Sequence, residues 1–165
     1  MEIGLISDTH GYLDERVFEH FSGCDEIWHA GDIGDKSILD RLKNFKKVRA
    51  VYGNIDGKDI RSDLEEELIF GLEGLRVWII HIAGYPSHYT AGVKNRIREI
   101  NPNLLVCGHS HILRILPDKT LDNFLYINPG AAGIQGLHKV RTLVRFSLRD
   151  KHISNMQVIE LGTRR

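Results

Sequence analysis

The sequence predicts an α/β protein with a mixed rather than purely parallel sheet, and three observations predict it. Short apolar runs alternate with helical stripes over the first two-thirds of the chain. After residue 111 the stripes stop and strand-like runs follow one another. Finally, ligand-type side chains collect where the early apolar runs end, as they do when distant segments converge on the carboxyl ends of strands.

The runs at 3–7 (IGLIS), 26–30 (EIWHA), 48–53 (VRAVYG), 76–81 (RVWIIH) and 104–108 (LLVCG) read as strands, being brief and rich in β-branched and aromatic residues. Between them, Leu13, Val17, Phe18 and Phe21 share one helical face, and Ile38, Leu39, Leu42 and Phe45 share another. Tyr89, Val93, Ile97 and Ile100 make a third stripe. All three are core faces. Asp35 and Ser87 stand where N-caps of the second and third helices belong, and Asn101 with Pro102 stops the third. Beyond residue 111, the runs 112–117, 124–130, 142–148 and 153–161 read as strands, with turn signals at Asp118, Asn128–Gly130 and Asp150–Lys151. Without a repeat, a low-complexity segment or a linker, residues 1–165 are expected to form one domain.

Composition narrows the function. The chain has 165 residues, 42% hydrophobic and 27% charged, with zero formal net charge. Long nucleic acid is therefore not an expected partner, because neither a global positive charge nor an aromatic–basic platform is present. The basic residues between His138 and Lys151 read as solvated faces of a terminal hairpin. No apolar run approaches the roughly 20 residues that cross a bilayer, and the first residues lack a basic, signal-like start. Cys24 and Cys107 are far apart and read as reduced core thiols. A cytoplasmic protein is expected, with no membrane partner; homo-oligomerisation is left open.

The chemistry sits at the strand exits. Asp8 and His10 follow the first strand, Asp32 the second and Asn54 the third; His81 ends the fourth, and His109 and His111 follow the fifth. The pairs Asp8/His10 and His109/His111 are two residues apart, so an extended chain points both members the same way. Gly31, Gly53 and Gly108 each precede one of these residues and let backbone come close to a bound group. Imidazole, carboxylate and one amide, without thiolate, suit Mn, Fe, Zn, Ni or Co. Seven such residues are too many for one tetrahedral zinc and suit two divalent ions about 3.5–4 Å apart, with manganese favoured. Asp56 is expected to shape a turn, His29 to be structural, and His20, His88, His138 and His152 receive no function, His88 alone standing near a loop that could edge the substrate cleft.

The motifs SDTHG (7–11), GD (31–32), GNID (53–56), His81, GHSH (108–111) and NPGA (128–131) resemble, in order, those of the calcineurin-like metallophosphoesterase superfamily, specifically its small single-domain branch. The resemblance implies two packed mixed β-sheets flanked by helices, a four-layer sandwich. It implies that Asp8, His10 and His111 bind one ion and Asn54, His81 and His109 the other, with Asp32 bridging. It assigns catalytic parts to Asp32, Asn54 and His81. The expected reaction is hydrolysis of a small phosphate ester, most simply a diester, by attack of a hydroxide held between the ions. One position departs from the pattern: many members carry His after the Asn, over the scissile phosphate, where this chain has Ile55. An apolar side chain cannot protonate a leaving group. The alternatives are a monoesterase or nuclease, or a non-catalytic scaffold of the same fold, as in a retromer subunit. Substrate choice is assigned to loops at 84–92 and 112–125.

Overall fold

The computed structural model describes residues 1–121 and 124–164. In chain order the elements are β1 (Glu2–Ile6), α1 (Arg16–His20), β2 (Glu26–His29), α2 (Lys36–Phe45), β3 (Lys47–Ala50), α3 (Lys58–Arg61), β4 (Glu67–Leu72) and β5 (Leu75–Ile80). There follow β6 (Gly84–Tyr85), β7 (His88–Tyr89), α4 (Val93–Ile100), β8 (Leu104–Val106), β9 (Leu113–Asp118), β10 (Phe124–Pro129), β11 (Val140–Arg149) and β12 (His152–Thr163).

Two mixed five-stranded sheets carry the architecture, in the orders β12-β11-β1-β2-β3 and β4-β5-β8-β10-β9. In the first, β1, β2 and β3 run parallel and β11 lies antiparallel to β1. In the second, β5, β8 and β10 run parallel, with antiparallel strands on both edges. The period of two in a strand divides each central strand between two cores. Ile3 and Leu5 of β1, Val77 and Ile79 of β5, and Leu104 and Val106 of β8 enter the core between the sheets. Their neighbours Ile6, and Trp78 and Leu105, face outwards, where the first packs towards α1 and α2 and the others against α4. Helix, sheet, sheet and helix thus form four layers, as the resemblance implied. Each fully buried Leu, Ile or Val contributes about 1.5–3 kcal/mol, so the layers are held mainly by these apolar contacts.

The sequence expectation holds for the nine strands it named, to within one or two residues at most ends, and differs in four places. β4 was not expected; it is a half-exposed edge strand whose pattern is interrupted by Gly71. Ser87 is not a helix cap: it sits at φ 73° in the turn between β6 and β7, and Gly92 at φ 84° precedes α4 instead. Tyr89 belongs to β7, although it still packs on the α4 side of the second sheet. Within 112–125, β9 and the start of β10 are the strands expected at 112–117 and 124–130, and residues 122–123 lie outside the described ones. Asp35 does cap α2, accepting from the Ser37 N–H at 2.8 Å. Arg141 is not a solvated hairpin residue but is buried, paired with Asp14 at 2.9 Å. Among the described residues, no helix is long and apolar enough to cross a membrane.

Candidate metal centre

The loops after β1, β2, β3, β5 and β8 meet at one end of the sheets. The loop after β1 is sewn to the loop after β2: the Asp8 and His10 amides donate to the Gly31 and Asp32 carbonyls, each at 3.0 Å. Buried His29 fixes the same junction. Its Nδ1 accepts the Gly31 N–H at 3.1 Å, so its Nε2–H faces the Thr9 hydroxyl at 3.0 Å, and that hydroxyl donates to the Ile33 carbonyl. Burial lowers the His29 pKa to about 4, keeping the ring neutral. Asp56 ties the next loop in by accepting the Gly34 and Gly53 amides at 2.7 and 2.8 Å. Both residues are structural, as expected.

Two clusters of candidate ligand atoms result, one from Asp8, His10 and His111 and the other from Asp32, His81 and His109, each with its atoms within 4.8 Å of one another. Asp8 Oδ1 lies 3.3 Å from His111 Nε2, which is 3.3 Å from His10 Nε2. Asp32 Oδ2 stands between the clusters, 3.5 Å from His10 Nε2 and 3.2 Å from His81 Nε2. Asn54 Oδ1 is 3.2 Å from that same His81 nitrogen. All seven sequence-predicted residues therefore converge.

Local backbone shows what holding them costs. Asp8, His10, Asp32, His109 and His111 all have left-handed φ, between 47° and 66°. Each such non-glycine residue costs on the order of 1–2 kcal/mol, and such strain concentrates at functional sites. The expected extended pairs are thus replaced by tight left-handed turns. The glycines also make room for neighbouring candidate ligands. A Cβ on Gly53 would lie 2.0 Å from Asp32 Oδ1, and one on Gly108 2.7 Å from Asp8 Oδ2.

The electrostatics fit cations. The His81 Nδ1–H donates to the Ala30 carbonyl at 2.7 Å, which leaves Nε2 as a lone pair facing Asp32 and Asn54 oxygens. In the neutral ring acceptor then faces acceptor, and a proton on that nitrogen or a cation between the groups relieves the arrangement. Burial by itself would raise Asp8, yet the surrounding imidazoles of His10, His111 and His81 hold it well below the usual carboxylate range. Burial pulls Asp32 upward too, and His81 together with the Ile55 amide holds it below the usual carboxylate value. His10 is raised by Asp8 and then Asp32; His81 is raised because Asp32 and Asp8 overcome its burial. The donor set, with imidazole nitrogens, carboxylates and an amide oxygen, suits divalent transition ions.

One neighbour had no signal in the sequence. His138, 27 residues beyond His111, places its Nδ1 3.1 Å from His111 Nδ1. Cys107 is buried behind the site with its thiol pushed up to about 12 by burial, so it remains a core thiol.

Comparison with known proteins agrees with this geometry. The sequence profile of the calcineurin-like phosphoesterase superfamily domain matches residues 1–151. The chain belongs to that superfamily. Among curated superfamily relatives, a probable metallophosphoesterase of Methanocaldococcus jannaschii is 34% identical over 97% of this chain and 82% of its own length. A phosphodiesterase of the same organism is 27% identical over 79% of this chain and 83% of its own. Among solved structures, an archaeal phosphodiesterase superposes with TM-score 0.78 at 23% identity, covering 98% of this chain and all of that one. Zinc-complexed Vps29 from Entamoeba histolytica gives TM-score 0.72 at 16% identity, covering 97% and 99%. This superfamily member thus shares its fold with both kinds of protein.

Proposed function

We propose that the protein is a dinuclear metal-dependent phosphodiesterase acting on a small phosphate ester. Asp8, His10 and His111 would hold one ion and Asn54, His81 and His109 the other, with Asp32 placed to serve both. The observation that carries this reading is the place of Asp32 Oδ2, within 3.5 Å of one cluster's imidazole and 3.2 Å of the other's. When bound, two divalent cations acidify a water and neutralise charge on a phosphoryl group. The protein's own part is preorganisation. The Ile55 amide donates to Asp32 Oδ1 at 3.1 Å, which leaves Oδ2 to span the two clusters. The Ala30 carbonyl orients His81, and the His109 amide holds Asp8. Beside Asn54 and His81 a cavity of about 220 Å³, lined by Tyr52, Arg61, Glu66 and Ile82, has room for one ester group. Ile55, 45% exposed, brings no proton donor, so leaving groups that need no general acid are favoured. Manganese is among the divalent ions that this donor set suits.

The second reading is a non-catalytic scaffold, supported by the likeness to Vps29 and by Ile55. Since a Vps29 has been solved in complex with zinc, metal uptake alone does not separate the readings; turnover does. Protein loaded with Mn²⁺ should hydrolyse bis(p-nitrophenyl) phosphate, and Asp32→Asn should lose more than about 100-fold, since even outer-sphere substitutions cost about 10–100-fold. A wild-type rate no higher than that of Asp32→Asn sinks the enzyme and leaves the scaffold.

A further inference from the structure

We propose that His138 is a positioning residue, holding the His111 ring in the tautomer and rotamer that present its Nε2 lone pair to the first ion site. The inference rests on the metal centre proposed above. A carbonyl oxygen only accepts, so the 3.0 Å contact between His138 Nε2 and the Gly133 carbonyl places the hydrogen on that nitrogen. The other nitrogen of the neutral ring, Nδ1, is then an acceptor. It lies 3.1 Å from His111 Nδ1, which must be the donor. His111 Nε2 is left bare, 3.3 Å from Asp8 Oδ1 and 3.3 Å from His10 Nε2.

The anchor of this relay is itself tied to the site. The Gly133 amide donates to the Asp8 carbonyl at 3.0 Å, so the peptide that orients His138 is fastened to a candidate ligand residue. The strap from Gly133 to His138 also passes directly over the His111 ring. At Gly136, φ 118°, a Cβ would lie 2.1 Å from His111 Nδ1, so any side chain there would displace the ring. The two ion sites therefore differ in support. His81 is oriented by the Ala30 backbone carbonyl, which no substitution removes, whereas His111 depends on one side chain.

The test is titration of metal-stripped protein with Mn²⁺ by calorimetry, with His138→Ala and His138→Asn as variants. The Asn carboxamide oxygen takes the place of Nδ1 and accepts the same hydrogen. Wild type should bind two equivalents. His138→Ala should bind one of them about 10–100-fold more weakly and leave the other unchanged; His138→Asn should recover most of the loss. An ion-independent readout is the imidazole ¹⁵N spectrum of the metal-stripped protein. There His111 should carry its hydrogen on Nδ1 in wild type and His138→Asn, and show a mixture in His138→Ala. Unchanged affinity in His138→Ala, equal weakening of both equivalents, or an Asn variant as weak as the Ala variant overturns the proposal. Wild-type protein that binds no Mn²⁺ sinks the metal-centre reading instead, and the ¹⁵N spectrum then decides the tautomer alone.

Discussion

The Asp8 carboxylate accepts the backbone N–H of His109 at 3.1 and 3.2 Å, across 101 residues of sequence. The two belong to different clusters of candidate ligands, so the clusters are mechanically joined through this bond.

Asp8→Ala should therefore disturb both ion sites. It removes one candidate ligand and leaves the His109 amide without its acceptor, a loss of about 1–3 kcal/mol where that group is buried. His10→Ala removes a candidate ligand from the first cluster only. Elemental analysis after Mn²⁺ loading should give near-zero occupancy for Asp8→Ala and close to one equivalent for His10→Ala. Equal occupancy in the two variants counts against the coupling.

Acid should weaken the fold through His29. Its folded pKa of about 4 lies below the ordinary 6.5 because the ring is fully buried. Between those values the unfolded chain binds a proton that the folded chain refuses. Stability is whole above pH 6.5 and falls as pH drops, by up to about 3 kcal/mol near pH 4. His29→Asn keeps an acceptor for the Gly31 amide and cannot titrate. Urea unfolding from pH 7.5 to 4.5 should show a shallower pH slope for the variant; identical slopes remove His29 as the cause.

Ile55→His should add a proton donor at a position that has none in this chain. The Ile55 amide, which bonds Asp32, is kept whatever the side chain, and the side chain is exposed. Hydrolysis of alkyl esters should rise by up to about 10²-fold, while p-nitrophenyl esters, with good leaving groups, should change little. A parallel gain on both classes would point to some cause other than proton donation.

Gly108→Ala should damage the site through space alone. The added methyl would lie 2.1 Å from Ser7 Oγ as well as against Asp8. Overpacking of this kind costs about 1–3 kcal/mol. Thermal unfolding should register that loss together with weakened Mn²⁺ uptake, and a variant of wild-type stability and uptake would contradict the packing described.

Much of this arrangement can be read from residue order. Asp8, Asp32, Asn54 and His109 announce themselves because each closes an apolar run, and a buried strand has no other use for them. Gly53 and Gly108 mark places where backbone runs against ligands. What sequence hides is tertiary or compensated by packing. β4 shows a weak pattern because an edge strand buries only part of one face. Ser87 looked like a cap because its chemistry suits one, but the chain makes a hairpin turn there first. The left-handed φ of five candidate ligands is imposed by interloop hydrogen bonds such as Asp8 to Gly31, to which spacing is blind. His138 reaches His111 only because the strap from Gly133 folds back over it.

The most direct measurement is anomalous scattering from crystals soaked in Mn²⁺. Two peaks about 3.5–4 Å apart are expected, one against Asp8, His10 and His111, the other against Asn54, His81 and His109, with the Asp32 carboxylate touching both. A single peak, or two peaks of which Asp32 touches only one, contradicts the account.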